Sequence, residues 1–374
     1  VWNLGLEQRL MWRRWQGPTP GFAEQCRQLT EARAAEPWLR DGPQGVQQQA
    51  LRDLDQAWRN FFAGTHDRPT WRKRGQSEGL RVVGKDFRVR QDNAKWSSVW
   101  VPKVGWVRFK RSRQVPDAKS YRVTRDRAGR WHVAFAAIPD PIPAPGTGEI
   151  VGVDRGVKAA VALSTGEMTS PAGLRPKEAE RLLRLQRRLA RAKRGSNRRT
   201  GVKMAIARLN ARDGDRRKDW AEKTSTDLAR RFDVVRFEDL NVKAMTRSAR
   251  GTLEAPGRNV RQKAGLNRGI LAAGWTLLLI RTEQKALGRI EKVNPAYTSQ
   301  TCNACKHVAR ESRESQAVFR CVACGHQANA DVNAARNIAD RTPAAGRAVA
   351  ARGDRVKSAR SVKREPQRAR QLVA

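Results

Sequence analysis

Apolar positions recur every three or four residues through the first sixty of the chain. Leu51, Leu54, Ala57 and Trp58, continued by Phe61 and Phe62, fall on one helical face. Val1-Trp2-Asn3-Leu4 already reads as helix, and Gly64 and Pro69 close the helical part. From about Leu80 to Ile138 the period drops to two, through Phe87-Arg88-Val89, Val99-Trp100-Val101, Val107-Arg108-Phe109, Tyr121-Arg122-Val123 and Trp131-His132-Val133-Ala134-Phe135. Turn signals such as Asp126-Arg127-Ala128-Gly129 part these runs. Short antiparallel strands in a small barrel or sandwich are expected.

Residues 139–148 (PDPIPAPGTG) read as a linker stiffened by four prolines. Glu149-Ile150-Val151-Gly152-Val153-Asp154 then predicts a buried strand carrying one acid. Residues 159–163, the turn Ser164-Thr165-Gly166 and Glu167-Met168 complete a meander. Leucines at 182, 185 and 189 mark a long helix, followed after Gly195-Ser196-Asn197 by another. Residues 233–240 form a second buried strand ending in acids, 266–287 have helical period, and 289–293 form a last strand. Residues 331–338 are a short helix that begins at an acid. The segment 341–374 has no aromatic residue and ten basic against two acidic side chains, so disorder is expected there.

A length of 374 residues suits two or three domains, and a hydrophobic share of 39% supports a real core. Charge is the departure from the ordinary. Lys plus Arg number 76 against 36 Asp plus Glu, a net +40, which excludes an ordinary small-molecule enzyme and points to a polyanion, nucleic acid before a membrane surface. The longest apolar run, 270–280, is interrupted by Gly274 and Thr276 and is far shorter than the ~20 residues of a bilayer span. No charged-then-apolar leader opens the chain, so a soluble, cytoplasmic protein, nucleoid-associated when on DNA, is expected. The charge is concentrated: residues 175–218 carry seventeen basic and four acidic groups. Opposite charges are too few there for pairing along the helix, and phosphate is the natural neutraliser. Arg184, Arg187, Arg188, Arg191, Arg194, Arg198 and Arg199 are its candidate contacts. Arg and Trp also interleave over 80–138, a pattern that suits stacking on bases, although most of these aromatics are expected in a core.

Cys302 and Cys305, then Cys321 and Cys324, form two C-x2-C knuckles fifteen residues apart. Such a pair suits tetrahedral zinc, and four thiolates leave no open position for water, so the metal is structural. Cys26 stands alone as an unremarkable helix residue. Three acids occupy special places: Asp154 in an apolar strand, Glu238 at the end of another, and Asp331 at a helix start. Burying such an acid is costly without a cation or donor. If the two strands are neighbours and the helix packs on them, the carboxylates converge. A cluster of that kind without His favours Mg²⁺ or Mn²⁺ and metal-assisted phosphodiester cleavage. The alternative is that each acid caps a helix or pairs with Arg.

Four stretches carry a resemblance: Val151-Gly152-Val153-Asp154-Arg155-Gly156; Phe237-Glu238-Asp239-Leu240-Asn241-Val242-Lys243; Asn294-Pro295-Ala296-Tyr297-Thr298-Ser299-Gln300-Thr301-Cys302; and residues 328–338, which include Asn329-Ala330-Asp331-Val332-Asn333-Ala334-Ala335. In this order they resemble the transposon-encoded TnpB (OrfB) family, RNA-guided DNA endonucleases related to the compact type V CRISPR effectors. The resemblance implies an α/β multidomain chain with a RuvC-like RNase H fold. Its first acid lies on the first strand (Asp154), its second on the fourth (Glu238) and its third at Asp331. It implies a helical recognition segment over 1–70, a β-barrel wedge over 71–138 and the linker over 139–148. The nuclease with its basic helices follows over 149–294, then an inserted zinc ribbon over 295–328, a final helix over 329–340 and a basic tail over 341–374. A guide RNA from the transposon end and a target DNA are the implied partners, with the basic helices lying along their heteroduplex.

Two departures from the family accompany it. Family members open on a basic, strand-forming stretch, whereas Val1-Trp2-Asn3-Leu4 reads as helix, so the wedge is expected to lack its first strand. Arg155 also stands where small or apolar residues are common. The leading reading is a cleaving, guided enzyme. The second is a guided nucleic-acid binder that does not cut, or an N-terminally truncated, inactive transposase-associated protein. A strand-joining transposase lacks support, since no Tyr or Ser nucleophile accompanies a His pair among only four His. Tyr297 reads as packing near the ribbon.

Overall fold

The computed structural model describes residues 1–13, 15, 17–76 and 78–341. All but the first residue of the expected disordered tail therefore lie outside the described residues. The chain divides into two compact units, one of Val1–Asp140 with Gly173–Asp215, the other of Pro141–Ala172 with the chain from Arg216.

The first unit begins with α1 (Trp2–Met11), α2 (Phe22–Ala35), α3 (Pro37–Asp41) and α4 (Gln44–Phe62). The three-and-four spacing of α4 buries Leu51, Leu54 and Trp58. Gly5 lets α1 approach, since a Cβ there would lie 2.9 Å from Leu51 Cδ2. Six strands follow: β1 (Gly79–Val83), β2 (Val89–Gln91), β3 (Trp96–Val101), β4 (Gly105–Lys110), β5 (Ser120–Arg125) and β6 (Trp131–Phe135).

The strands do not close into the expected barrel. They make two three-stranded antiparallel sheets, β1-β5-β6 and β2-β3-β4. Val82 and Tyr121 of one sheet and Val99 and Val101 of the other enclose a common core with Phe87, Phe109 and Phe135. Phe87 lies 5.9 Å from Tyr121 and Phe109 lies 5.8 Å from Phe135, centroid to centroid. Rings packed at a tilt between two sheets keep the backbones about 10 Å apart, the usual spacing of packed sheets and too far for N–H···O bonds between them. The chain changes sheets through corners instead, at the 3-10 turn Gly84–Asp86, where Gly84 has φ 64°, and along the irregular residues 111–119. The interleaved Arg and Trp residues largely satisfy one another. The guanidinium carbons of Arg90 and Arg108 sit 4.5 and 4.7 Å from the ring centres of Trp106 and Trp96.

The basic segment completes this unit. In α5 (Pro176–Arg191), Leu182, Leu185 and Leu189 pack on Val202, Ile206 and Leu209 of the 35-residue helix α6 (Asn197–Arg231). Arg184, Arg187, Arg188, Arg191, Arg194 and Arg198 stay exposed. Arg199 does not: its guanidinium donates to the carbonyls of Leu189 (2.6 Å) and Ala192 (3.1 Å), closing the end of α5.

In the second unit, β7 (Ile150–Asp154), β8 (Val161–Leu163), β9 (Met168–Thr169), β10 (Val234–Glu238) and β11 (Ile290–Val293) form one sheet ordered β11-β10-β7-β8-β9. β7, β10 and β11 are parallel, and β7-β8-β9 is an antiparallel meander. This is the RNase H-like arrangement the resemblance implies, with the acid-bearing first and fourth strands side by side. Parallel neighbours need covered crossovers, so β7 and β10 read as nearly continuous apolar runs. Trp220 and Leu228 of α6, Ile270 of α8 (Val260–Ala273) and Trp275 and Leu278 of α9 (Trp275–Lys285) fill one core with Val151, Val153, Val235 and Phe237. The helical stretch expected over 266–287 is two helices, because Gly274 takes φ 73° between them. The proline-rich segment is tied down: Ile142 N–H donates to Lys285 O (2.7 Å), and the amides of Gly146 and Gly148 donate to the Asp233 carboxylate. Among the described residues no helix is long and apolar enough to cross a membrane.

A short helix α7 (Val242–Met245), the hairpin of β12 (Val318–Arg320) and β13 (Gln327–Asn329), and α10 (Ala330–Asp340) complete the unit. α10 lies directly on β7 at Gly152. A Cβ there would sit 2.0 Å from Ala335 O and 2.5 Å from Ala339 N, both backbone atoms that cannot yield. Gly152→Ala should therefore destabilise the chain by about 3 kcal/mol or more in urea unfolding; a change within 0.5 kcal/mol would show that α10 does not need this contact.

Candidate functional site

The strand register brings two of the predicted acids together. Phe237 pairs with Val153 across the parallel β10 and β7, so Glu238 and Asp154 end adjacent strands at their carboxyl edge. The third acid arrives on α10. Asn329 caps that helix, its side-chain oxygen accepting from the amides of Asp331 (3.0 Å) and Val332 (3.2 Å). A Cβ on Gly156, two residues beyond Asp154, would lie 3.8 Å from Asp331 Oδ2. Trp275 anchors the same loop, its indole N–H donating to Gly156 O at 3.1 Å.

The electrostatics follow from this crowding. Burial, then the charges of Glu238 and Asp331, push the Asp154 carboxyl up to about 7, against the opposing pull of Arg313. Burial also raises Glu238, while a hydrogen bond from Thr298 and the charges of Arg155 and Arg341 work the other way. Arg313 Nη2 stands 3.3 Å from Asp331 Oδ1. Arg155, only 5% exposed, donates to the main-chain carbonyl of Glu238, and its guanidinium carbon lies 5.7 Å from the Phe237 ring centre. The three carboxylates are thus near enough for Glu238 and Asp331 to act on Asp154 through their charge. They do not close on a single point, and oxygen donors of this hard type fit a divalent cation between them.

Four other side chains do close on a point. The sulfurs of Cys302, Cys305, Cys321 and Cys324 all lie within 4.8 Å of one another, the only such group of His, Cys, Asp or Glu ligands among the described residues. Cys302 and Cys324 are 3.8 Å apart, Cys305 and Cys321 3.6 Å. The two knuckles repeat one backbone pattern. Lys306 N–H donates to Cys302 O and Gly325 N–H to Cys321 O, each at 2.9 Å, with left-handed φ of 62° and 73° at Lys306 and Gly325. Amides of Cys324 and Ala323 directed at the Cys321 sulfur lower its thiol, while hydrogen bonding among the neighbouring sulfurs raises that of Cys324.

Sequence reasoning missed Thr298 and Arg313 and recorded Arg155 only as an oddity. Arg155 had a visible signal, a cation beside a lone acid at the end of an apolar strand. Arg313 had none, since its approach to Asp331 depends on how the ribbon folds back. Tyr297 is not packing: it is 63% exposed and takes φ 63°.

Residues 132–249, which span β7 to β10, match the OrfB/IS605 family model, described as a probable transposase. Residues 278–338, which span the cysteines and Asp331, match the Cas12f1-like TNB domain. Over 333 residues the chain is 39% identical to the "Putative RNA-guided DNA endonuclease InsQ" of Escherichia coli strain K12, covering 88% of this chain and 81% of that protein. The chain belongs to the TnpB (OrfB) family of RNA-guided DNA endonucleases. A "Putative RNA-guided DNA endonuclease" of Streptomyces pristinaespiralis is 34% identical over 393 residues, 99% of this chain and 90% of that one. A solved Cas12f1–sgRNA–target DNA complex overlays on 79% of this chain and 71% of its own at 16% identity, with a TM-score of 0.49. The two family matches thus take in all three acids and all four ribbon cysteines of this TnpB-family chain.

The raised Asp154 has a signed consequence. Between the usual carboxylate value near 4 and about 7, the unfolded chain ionises at this residue and the folded chain does not. Asp154 therefore withdraws stability as pH rises through that window and changes nothing further above it. Asp154→Asn should relieve this in magnesium-free buffer. The gain over wild type in urea unfolding should grow from pH 4 to pH 7, to about 4 kcal/mol at most, then level off. A difference independent of pH would contradict the placement of the three charges.

Proposed function

We propose that this chain is a transposon-associated, metal-dependent endonuclease that cuts DNA under the direction of an RNA, with Asp154, Glu238 and Asp331 as its metal-holding catalytic acids. The observation that carries the reading is the placement of Asp154 and Glu238 at the ends of adjacent strands of an RNase H-like sheet, where burial and the charges of Glu238 and Asp331 raise Asp154 to about 7. A group so placed is poised to accept a cation. Bound there, Mg²⁺ or Mn²⁺ would supply Lewis acidity and an activated water for phosphodiester hydrolysis. The chain's own part is positional. β7 and β10 hold Asp154 and Glu238 side by side, the Asn329 cap starts α10 at Asp331, and Arg313 offsets the charge of Asp331.

The four cysteines are assigned to one structural zinc. Ligands about 2.3 Å from a tetrahedral ion lie about 3.8 Å from one another, close to the sulfur separations of 3.6 and 3.8 Å. Residues 149–294 are assigned to the nuclease, 295–328 to the ribbon and 329–340 to its closing helix. Residues 1–70 and 71–138 are assigned to recognition and wedge, the wedge as two packed sheets. A guide RNA derived from the transposon end and the target DNA are the partners, met in the cytoplasm at the nucleoid. Arg184, Arg187, Arg188, Arg191, Arg194 and Arg198, exposed along α5, the turn after it and the start of α6, present the phosphate-binding charge, while Arg199 shapes the turn.

Asp154→Ala should lower Mg²⁺-dependent cleavage of a matched plasmid by at least about a thousandfold while leaving the yield of co-purified RNA unchanged; undiminished cleavage would refute the assignment of the acids. Elemental analysis should find about one zinc per chain, and the double change Cys302→Ser with Cys321→Ser should remove it and lower the melting temperature. Retention of zinc by that variant would place the ion elsewhere.

A further inference from the structure

Asp154 ends a strand, and Asp331 opens a capped helix with Arg313 3.3 Å from its carboxylate. The Glu238 carboxylate is held from outside the sheet. Thr298, 3% exposed, brings its hydroxyl 2.5 Å from Glu238 Oε1 and 3.1 Å from Pro295 O. The hydroxyl has one proton, and the shorter bond, to the charged acceptor, takes it.

Thr298 lies in the turn that enters the ribbon, four residues before Cys302, and buried amides from α10 pin this turn. Asn337 Nδ2 donates to the carbonyls of Thr298 (3.0 Å) and Thr301 (2.7 Å), and Asn333 Nδ2 donates to Thr301 O (2.8 Å). Asn333 Oδ1 accepts from the amide of Asn303, inside the first knuckle, at 3.0 Å. Asn333 and Asn337 are 0% and 3% exposed and four residues apart, so they share one helix face. Buried amides persist where their bonds are made, since leaving them unmade costs about 1–3 kcal/mol each. The turn accepts a left-handed Tyr297, an unfavourable conformation for a non-glycine residue, to reach this position.

We propose that Thr298 is a positioning residue for the second acid: its hydroxyl fixes one oxygen of Glu238 and so the orientation of the carboxylate toward the metal. The ribbon turn, locked to α10 by Asn333 and Asn337, is the support that holds that hydroxyl in place. This rests on the reading of Glu238 as a metal-holding acid.

The test uses the full chain with its co-purified RNA and the series Thr298→Ser, Thr298→Val and Thr298→Ala. One readout is the Mg²⁺ concentration for half-maximal cleavage. The other needs no turnover: Fe²⁺ replaces Mg²⁺, and ascorbate with peroxide drives backbone scission beside the acids, read by mass spectrometry. Val and Ala should raise the half-saturating concentration of both ions about tenfold, the equivalent of ~1.4 kcal/mol for one lost charge-assisted bond, whereas Ser should match wild type. In a Glu238→Gln background Thr298→Val should add less than twofold. Wild-type metal dependence in both Val and Ala overturns the proposal, as does a Ser variant as impaired as Ala or full additivity with Glu238→Gln. Should Val fail to fold, the Ser and Ala pair decides. Asp154→Ala separates the two layers: if it leaves Fe²⁺ scission unchanged, the reading of the acid site fails; if it abolishes scission while the Thr298 series is silent, only the positioning role fails.

Discussion

The backbone-to-backbone approach of α10 to β7 at Gly152 is the contact on which the rest of the second unit depends. Helix and strand meet there with no room for a single methyl group. That distance decides where the first turn of the helix falls, and so brings Asp331 to the edge where β7 and β10 end. It also decides the reach of Asn333 and Asn337, which carry the ribbon turn and, through Thr298, touch Glu238. A helix standing an ångström farther away would still cover the sheet. It would not assemble three carboxylates and a hydroxyl.

Those carboxylates are costly to bring together, and the surrounding chemistry limits the cost without removing it. Arg313 approaches Asp331 and Arg155 binds the main chain of Glu238, yet Asp154 remains raised to about 7. Carboxylates crowded in this way repel one another, and that repulsion lowers the stability of the fold as Asp154 ionises. The excess charge of the chain lies elsewhere. It is strong on the outer side of α5 and in the turn beyond it, where the apolar stripe of Leu182, Leu185 and Leu189 is used against α6. Charge and apolar surface are thus separated around one helix, which lets a very basic segment pack and still offer its guanidinium groups outward.

The first unit shows how far a period of two can be trusted. Alternation over residues 80–138 specified strands, and β2 to β6 overlap the apolar runs marked along the chain, although Val107 and Trp131 of those runs are exposed. Whether six such strands close or split into two sheets depends on what fills the space between them. Phe87, Phe109, Tyr121 and Phe135 are large enough to hold two layers apart, and the corners at Gly84 and at residues 111–119 let the chain change layers. The Arg–Trp interleaving is similarly ambiguous one residue at a time. In three dimensions guanidinium groups lie over the indole faces, as Arg90 does over Trp106.

The chain by itself determined which residues are the candidates for chemistry. Two C-x2-C knuckles, an acid at the end of each of two apolar strands and an acid opening a helix are local patterns, because spacing along a strand, a turn or a helix is set within a few residues. The RNase H-like strand order was also legible, through motifs that occur in a fixed sequence. The tertiary structure alone decided how near those residues come and what supports them. Arg313 reaches Asp331, Thr298 reaches Glu238 across sixty residues of chain, Arg199 turns inward, and the six strands of the first unit split into two packed sheets. Each of these depends on side-chain volume and on distances between elements, quantities that no repeat along the chain encodes.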